Sequence, residues 1–317
     1  IFKNNQISQF DSPITLLRSP LLSFPQKIRA SLVTGYLKLT TNWQDLEKIT
    51  AASWLPKFYG KKAFETLWEP LLRSKFGPNA NQISMAWFWA RIKKRSTKLG
   101  YLEGGFQILI KRLTEEIKKN QGCLIFNREV KNLKDLVGYD RIIITVPAEK
   151  FFKTKLPKML GAINLILILR KKFFVDKTYW LSINEKNFPF VAVVEQTNFI
   201  DQKNYGGNHI VYVGGYYPQN HRYFQMTKKE IFKEFLPYLQ RINHQFNQSS
   251  VISYKLSVNL YAQGIVPVNY SKTILGHKTS LAGVYLANMQ QVYPWDRGIN
   301  YAIELGEKIV KIVNDDQ

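Results

Sequence analysis

Acidic residues are scarce in this chain of 317 residues: 23 Asp and Glu stand against 45 Lys and Arg, a net charge of +22. Such a surplus suits nucleic acid, an anionic membrane surface or acidic ligands. The basic residues are scattered, however, mostly as lysines on predicted helix faces, and no recognition helix, zinc spacing or RNA-binding aromatic motif accompanies them. A generally basic surface is the first reading and membrane attraction the second; a nucleic-acid partner is not expected. Cysteine is nearly absent, and Cys123 alone excludes an intrachain disulfide or a cysteine-based metal site. His209, His221, His244 and His277 lack ligand-like spacing, so no metal is expected. Long hydrophobic runs are lacking too. The longest, 161–169, is too short to span a bilayer, ends in Arg170-Lys171-Lys172, and reads as a buried strand. There is no signal-peptide pattern, and the chain opens on Ile rather than Met, so its true N-terminus is expected upstream. The expected location is cytoplasmic, with peripheral attachment to the inner face of the membrane as an option.

What is present is ample apolar material. Hydrophobic residues make up 45% and aromatics 14%, enough for a globular chain with two domains and a sizeable core. Residues 1–97 read as mostly helical. Beyond Ser12-Pro13, the residues Leu16, Leu17, Leu21, Leu22 and Phe24 are interleaved with Arg18, Lys27 and Arg29. This surface suits either a membrane interface or a helix pair packing on its own domain. Apolar positions 63, 64, 67, 68, 71, 72 and 76 predict an amphipathic helix over 61–76, stopped by Gly77-Pro78. A second helix, 83–95, carries Trp87, Phe88 and Trp89, which read as core.

The glycines of Gly100-Tyr101-Leu102-Glu103-Gly104-Gly105-Phe106 permit a tight turn into a helix with Phe106, Leu109, Ile110, Leu113 and Ile117 on one face. Strands are predicted at 122–130 and 141–146, the latter closed by Pro147. From 162 to about 259 the chain is strand-rich, with strands at 162–170, 178–184, 190–196, 209–217 and 251–259. One helix interrupts, opened by the capping box Thr227-Lys228-Lys229-Glu230. A mainly antiparallel sheet with a helical cap is expected there. The last segment reads as a short buried strand (283–289), a turn-rich loop (Tyr293-Pro294-Trp295-Asp296-Arg297-Gly298) and a helix with Ala302, Leu305, Ile309 and Val313 on its buried face. A strand, loop and helix in that order aim unpaired backbone N–H groups and a positive dipole at a ligand.

The phrases "YLANM", "YPWDRG", "NYA" and "LG" of 285–306, with "WEPLLRSKFG" (68–77), "AWFWARIKKR" (86–95) and the glycine-turn–helix–strand run of 100–130, resemble the FAD-dependent oxidoreductases that include amine oxidases, protoporphyrinogen oxidases and carotenoid (phytoene) desaturases. The likeness is greatest to the bacterial protoporphyrinogen-oxidase-like members. It implies an α/β (α+β) fold, with an incomplete Rossmann-like FAD-binding domain and a substrate domain of mainly antiparallel sheet with a helical cap. The implied division is 1–97 and 151–270 for the helical and sheet parts of the substrate domain, and 98–150 and 271–317 for the FAD domain. The resemblance puts the adenine against Val130. It puts the ribityl and pyrophosphate side near Ala287, Asn288 and Met289, and the flavin pyrimidine edge near Trp295, Gly298, Ile299 and Asn300. Tyr216, Tyr217, Tyr293 and Arg297 are candidate substrate-pocket residues, and packing is an equal reading for each.

A complete member of that family opens with G-x-G-x-x-G, which this sequence nowhere contains. A truncated or split copy is therefore expected, with loss of FAD or a separate N-terminal half as alternatives. Amine oxidation is disfavoured by the resemblance, because Gly298 aligns where amine-oxidising members carry an aromatic, and strand 162–170 lacks their lysine. Hydride removal from a bulky apolar substrate is the expected chemistry, and no catalytic side chain is assigned. The alternatives are a flavin-dependent isomerase resembling UDP-galactopyranose mutase, or a non-catalytic membrane-associated binding protein.

Overall fold

The computed structural model describes residues 1–9, 15, 18, 20–96, 98–152 and 157–316. The residues expected to matter at Ser12, Pro13, Leu16 and Leu17 lie outside that set. The main elements begin with short strands β1 (Phe2–Lys3) and β2 (Gln6–Ile7). Helices α1 (Phe24–Leu39), α2 (Trp43–Leu46), α3 (Ala51–Tyr59), α4 (Glu69–Phe76), α5 (Met85–Lys93) and α6 (Phe106–Lys119) follow. Next come β3 (Ile142–Ile144), β4 (Met159–Leu169), β5 (Trp180–Ser182), β6 (Ala192–Glu195) and β7 (His209–Pro218). The chain ends with α7 (Lys228–Ile242), β8 (Val251–Gly264), β9 (Val284–Leu286) and α8 (Ile299–Asn314). The chain divides into two compact units.

The first unit comprises 1–93, 157–274 and 293–296. Its helical part buries Leu37, Leu55, Leu72, Phe76, Trp87, Phe88 and Trp89 in one core. The aromatic run of α5 is core, as its pattern predicts: Phe76 meets Trp87 edge-on at 4.7 Å and Trp68 meets Phe88 at 4.9 Å. Its sheet part is antiparallel throughout, in the order β5-β6-β7-β4-β8. Alternation along β4 sends Ile163, Leu165, Leu167 and Leu169 to one face, where they share a core with Ile231, Phe232, Phe235 and Leu239 of α7. This is the expected sheet with its helical cap. The capping box at the start of α7 is formed: the Glu230 amide donates to Thr227 Oγ1 (3.3 Å) and the Thr227 amide to Glu230 Oε2 (2.8 Å).

The predicted single helix over 61–76 is interrupted. A π-helical turn occupies Phe64–Trp68 before α4 resumes. Pro70 follows at once, and a residue without an amide proton cannot continue the i→i−4 ladder, so the chain restarts there with proline in the first turn.

The second unit comprises 94–156, 275–292 and 297–317. Gly104 and Gly105, at φ 79° and 77°, make the tight turn into α6 that only glycine adopts without strain. β3 and β9 pair in parallel, Ile142 opposite Val284 and Ile144 opposite Leu286. Val284 and Leu286 face Ile144 and Ala148, while Tyr285 and Ala287 face Ile309 of α8 with Leu305 and Val313. Ala302, expected on that buried face, is exposed. The strand expected over 122–130 does not form. Asn127 takes a left-handed turn (φ 58°) in its middle, no strand among the described residues pairs with it, and Ile125 and Phe126 are exposed. Helix α6 forms as predicted but buries none of its residues, so its apolar face is uncovered.

Candidate functional site

The C-terminal strand, loop and helix are built as the sequence pattern suggests. β9 is buried at all three positions, and its apolar residues have a parallel partner in β3. The Ala287 amide donates to the Ile144 carbonyl (2.9 Å), extending the ladder by one residue. Asn288, buried, then turns the chain. Its side-chain nitrogen donates to the Val146 carbonyl (3.3 Å), its side-chain oxygen accepts from the Gln290 amide (3.0 Å), and its own amide donates to Gln291 Oε1 (3.0 Å). Gln291 closes the turn by donating to the Leu275 and Gly276 carbonyls, each at 3.1 Å. Loop 287–292 is therefore held by its own capping box and by the ends of both strands.

Residues 293–296 belong to the first unit, and three side chains fix them there. Tyr293 donates its hydroxyl to Glu47 Oε2 at 2.9 Å, and its ring meets Trp43 edge-on. Trp295 stacks on Trp89, with centroids 5.3 Å apart and planes at 26°. Asp296 pairs with the Arg91 guanidinium. Glu47 also accepts from the Ser271 hydroxyl (2.6 Å) and amide (3.3 Å), so this buried carboxylate joins 271 to 293. Burial, with the Glu47 bond second, pushes the Tyr293 phenol far above its ordinary range.

Chain of the second unit resumes at Arg297, and Gly298 is the N-cap of α8. Gly298 is extended (φ −177°, ψ 161°), supplies no side-chain cap, and is followed by a first turn without an acidic residue. The N-cap thus offers no side chain to the early amides of α8, and the nearby carboxylate of Asp296, two residues before it, is paired with Arg91. Ile299 and Asn300 are exposed. The far end of α8 is tethered: Asp316 pairs with Lys278 and accepts the Tyr285 hydroxyl (2.6 Å), a bond that pushes that phenol up.

The remaining expected residues are spread over both units. Val130 is half-buried in the second unit, just before the capping box of Asn132 and Asp135. In the first unit, Tyr216 and Tyr217 point to opposite sides of β7, as neighbours on a strand must. Tyr216 packs on the helical core, with Lys75 Nζ 5.2 Å from its ring; Lys75 lies also 5.0 Å from Trp87 and 5.9 Å from Phe76. Tyr217 packs on the sheet core and donates its hydroxyl to the Pro189 carbonyl. Ala287, Asn288 and Met289 adjoin β9, while Arg297, Gly298, Ile299 and Asn300 open α8. The sequence pattern did not reveal Glu47, Ser271, Arg91 or Trp89 as holders of 293–296. They lie 205 to 246 residues from their partners, and no local signal marks them. Among the described residues, no group of three or more His, Cys, Asp or Glu could hold a metal ion.

No protein-family model matches this sequence, and no curated protein matches it. Solved structures do match its fold. A protoporphyrinogen-oxidase-like protein from Exiguobacterium sp. 255-15 is similar at TM-score 0.66 and 15% identity, covering 96% of this chain and 75% of that one. Cyclohexylamine oxidase from Brevibacterium oxydans IH-35A is similar at TM-score 0.59 and 13% identity, covering 94% and 76%. Reduced UDP-galactopyranose mutase is similar at TM-score 0.57 and 11% identity, covering 80% and 63%. The chain has the mixed helix-and-sheet fold that these structures share.

Proposed function

We propose that the chain is the larger part of an FAD-dependent oxidoreductase that removes hydride from a bulky apolar substrate. The observation that carries this reading is the N-terminus of α8, presented by a rigid loop directly after the buried strand β9, with neither a side-chain cap nor an acidic first turn. A partial positive charge of about half a unit at such a terminus favours an anion, and a reduced flavin is anionic at its pyrimidine edge. Gly298 keeps the approach clear of a side chain, and the capping box of Asn288 fixes the loop before it. In this proposal Gly298, Ile299 and Asn300 offer backbone donors to that edge, Ala287 to Met289 line the ribityl side, and Val130 meets the adenine. The flavin, when bound, supplies the chemistry by accepting the hydride.

The pyrophosphate is held by residues outside 1–317 in this reading, since the sequence has no G-x-G-x-x-G. The bare apolar face of α6 and the exposed Ile143 in the middle of β3 support it, because parallel strands are ordinarily covered on both faces. Oxidation at carbon rather than at an amine is supported by β4, which carries no lysine along its length.

The test is to produce the chain with the coding sequence that lies upstream of residue 1 and record its absorbance. A flavin spectrum is expected. A longer protein with neither bound nor bindable FAD would sink the proposal. Sugar isomerisation without net oxidation would reassign the site to mutase-like chemistry.

A further inference from the structure

Helix α1 has two faces that should not both be apolar if it were simply a surface helix. Ala30 and Leu37 are buried, and Leu22 and Val33 pack with them in the helical core. Phe24, Ile28, Leu32, Tyr36 and Leu39 fall at i, i+4, i+8, i+12 and i+15, one continuous outward line. Phe24 and Leu32 are each 70% exposed and Leu39 is 81% exposed, so most of this line is open to solvent, with Tyr36 alone stacked on a neighbouring helix. Tyr36 stacks on Trp54 (6.5 Å) and Trp54 on Phe58 (4.2 Å), which widens the apolar face by an aromatic row ending in a further exposed ring. An open groove of about 500 Å³ runs beside the line, bounded by Phe24, Pro25, Ile28, Arg29, Leu32 and Val33.

The charge around this face is mainly positive, with Glu65 beside Lys61 (3.9 Å) the acidic exception. At 100° per residue, Lys27 and Lys38 border the line on one side and Arg29 on the other. Arg29 is held in place by donating to the Phe58 and Lys57 carbonyls at 2.6 and 2.7 Å. Lys57, Lys61 and Lys62 are exposed on the adjoining helix and turn. No Asp or Glu occurs anywhere from 12 to 44. A protein partner would have to bring a strongly acidic rim around an apolar ridge about 24 Å long. An anionic bilayer offers both features at once: acyl depth for the ridge, and lipid phosphates for the cations at its borders. No helix among the described residues is long and apolar enough to cross a membrane, so α1 would lie in the interface plane.

We propose that the outward face of α1 docks the protein on an anionic lipid bilayer. This assignment is independent of the flavin reading and concerns a different surface. The test is co-sedimentation of residues 1–317 with vesicles of phosphatidylcholine alone or mixed with phosphatidylglycerol, at low and high salt. Binding is expected to the mixed vesicles, at least about tenfold weaker without the anionic lipid, and reduced by salt. Leu32→Glu should reduce binding about tenfold or more while leaving the circular-dichroism melting curve unchanged, because that side chain is exposed. The pair Lys27→Glu and Lys38→Glu should weaken it comparably without altering the apolar line, whereas Lys229→Glu on α7 should have no effect. Failure to bind mixed vesicles at low salt overturns the proposal, as does binding that survives both the Leu32 and the lysine variants. A stable dimer in sedimentation velocity that Leu32→Glu dissolves would also overturn it, assigning the face to a second copy of the chain.

Discussion

Glu47 gives the sharpest stability test, because its carboxylate is buried and each of its oxygens is engaged by chain far away in sequence. Oε1 accepts from the Ser271 hydroxyl at 2.6 Å; Oε2 accepts from the Tyr293 hydroxyl at 2.9 Å and the Ser271 amide at 3.3 Å. Glu47→Ala strands those donors. An unsatisfied buried donor costs about 1–3 kcal/mol, and at least two are left behind here, the Tyr293 hydroxyl and one from Ser271. The expected loss is about 2–5 kcal/mol, in the range for breaking a buried network. Glu47→Gln keeps an acceptor and should cost about half as much or less. Urea unfolding followed by tryptophan fluorescence reads this directly, since Trp43 lies against Tyr293 and Trp89 against Trp295. A double-mutant cycle with Tyr293→Phe should return a coupling of about 0.5–3 kcal/mol, because the two groups touch. A Glu47→Ala loss below about 1 kcal/mol, or a coupling near zero, would refute the reasoning. The carboxylate would then not be what holds 293–296.

Residues 1–317 alone should bind FAD weakly or not at all, since the doubly charged pyrophosphate lacks its glycine-loop donors; a submicromolar dissociation constant by isothermal titration would contradict this. Asp296→Asn should change stability by less than about 1 kcal/mol in the same urea assay, because its pair with Arg91 is partly exposed on both sides. Burial depresses His209 and His221, with Lys172 and Arg222 respectively adding to the effect. A depressed histidine contributes stability that is present above about 6.5 and lost as pH falls through its lower folded value. The urea midpoint should therefore drop as pH is lowered from about 7 toward 5, and His209→Gln should flatten that slope; Glu195, 3.6 Å away and held above its ordinary value by burial, acts in the opposite direction and so does not account for the drop. Gly214→Ala should destabilise the sheet unit by about 1–3 kcal/mol, since a Cβ there runs into the Ile163 carbonyl of the paired strand; an unchanged thermal midpoint would show that the strands can part.

The strands of the large sheet could be read in advance because each carries its own signal. The apolar run expected at 162–170 forms over Met159–Leu169, and the one at 209–217 forms over His209–Pro218. Thr227 and Glu230 announced α7 for a local reason too, as a capping box needs only four consecutive residues. The same holds for the amphipathic spacing of α6 and α8. At the candidate site, the order of buried strand, loop and helix was visible, whereas the missing cap at Gly298 came only from the structure.

What the sequence could not decide was everything that needs a partner. Residues 122–130 have strand-like side chains, yet among the described residues no strand pairs with them and Asn127 turns the backbone, so they form no strand. The order β5-β6-β7-β4-β8 depends on which ladders bury the most surface, a comparison no single strand contains. Helix α6 has a face spaced for burial, but spacing does not supply a surface to bury it against. The anchoring of 293–296 by Glu47, Trp89 and Arg91 joins positions more than 200 residues apart, and a lone buried glutamate looks in sequence like any surface one. Local elements follow from backbone hydrogen bonds between near neighbours, which the sequence specifies residue by residue. Pairing, burial and the satisfaction of buried charge depend on groups brought together only when the chain has folded.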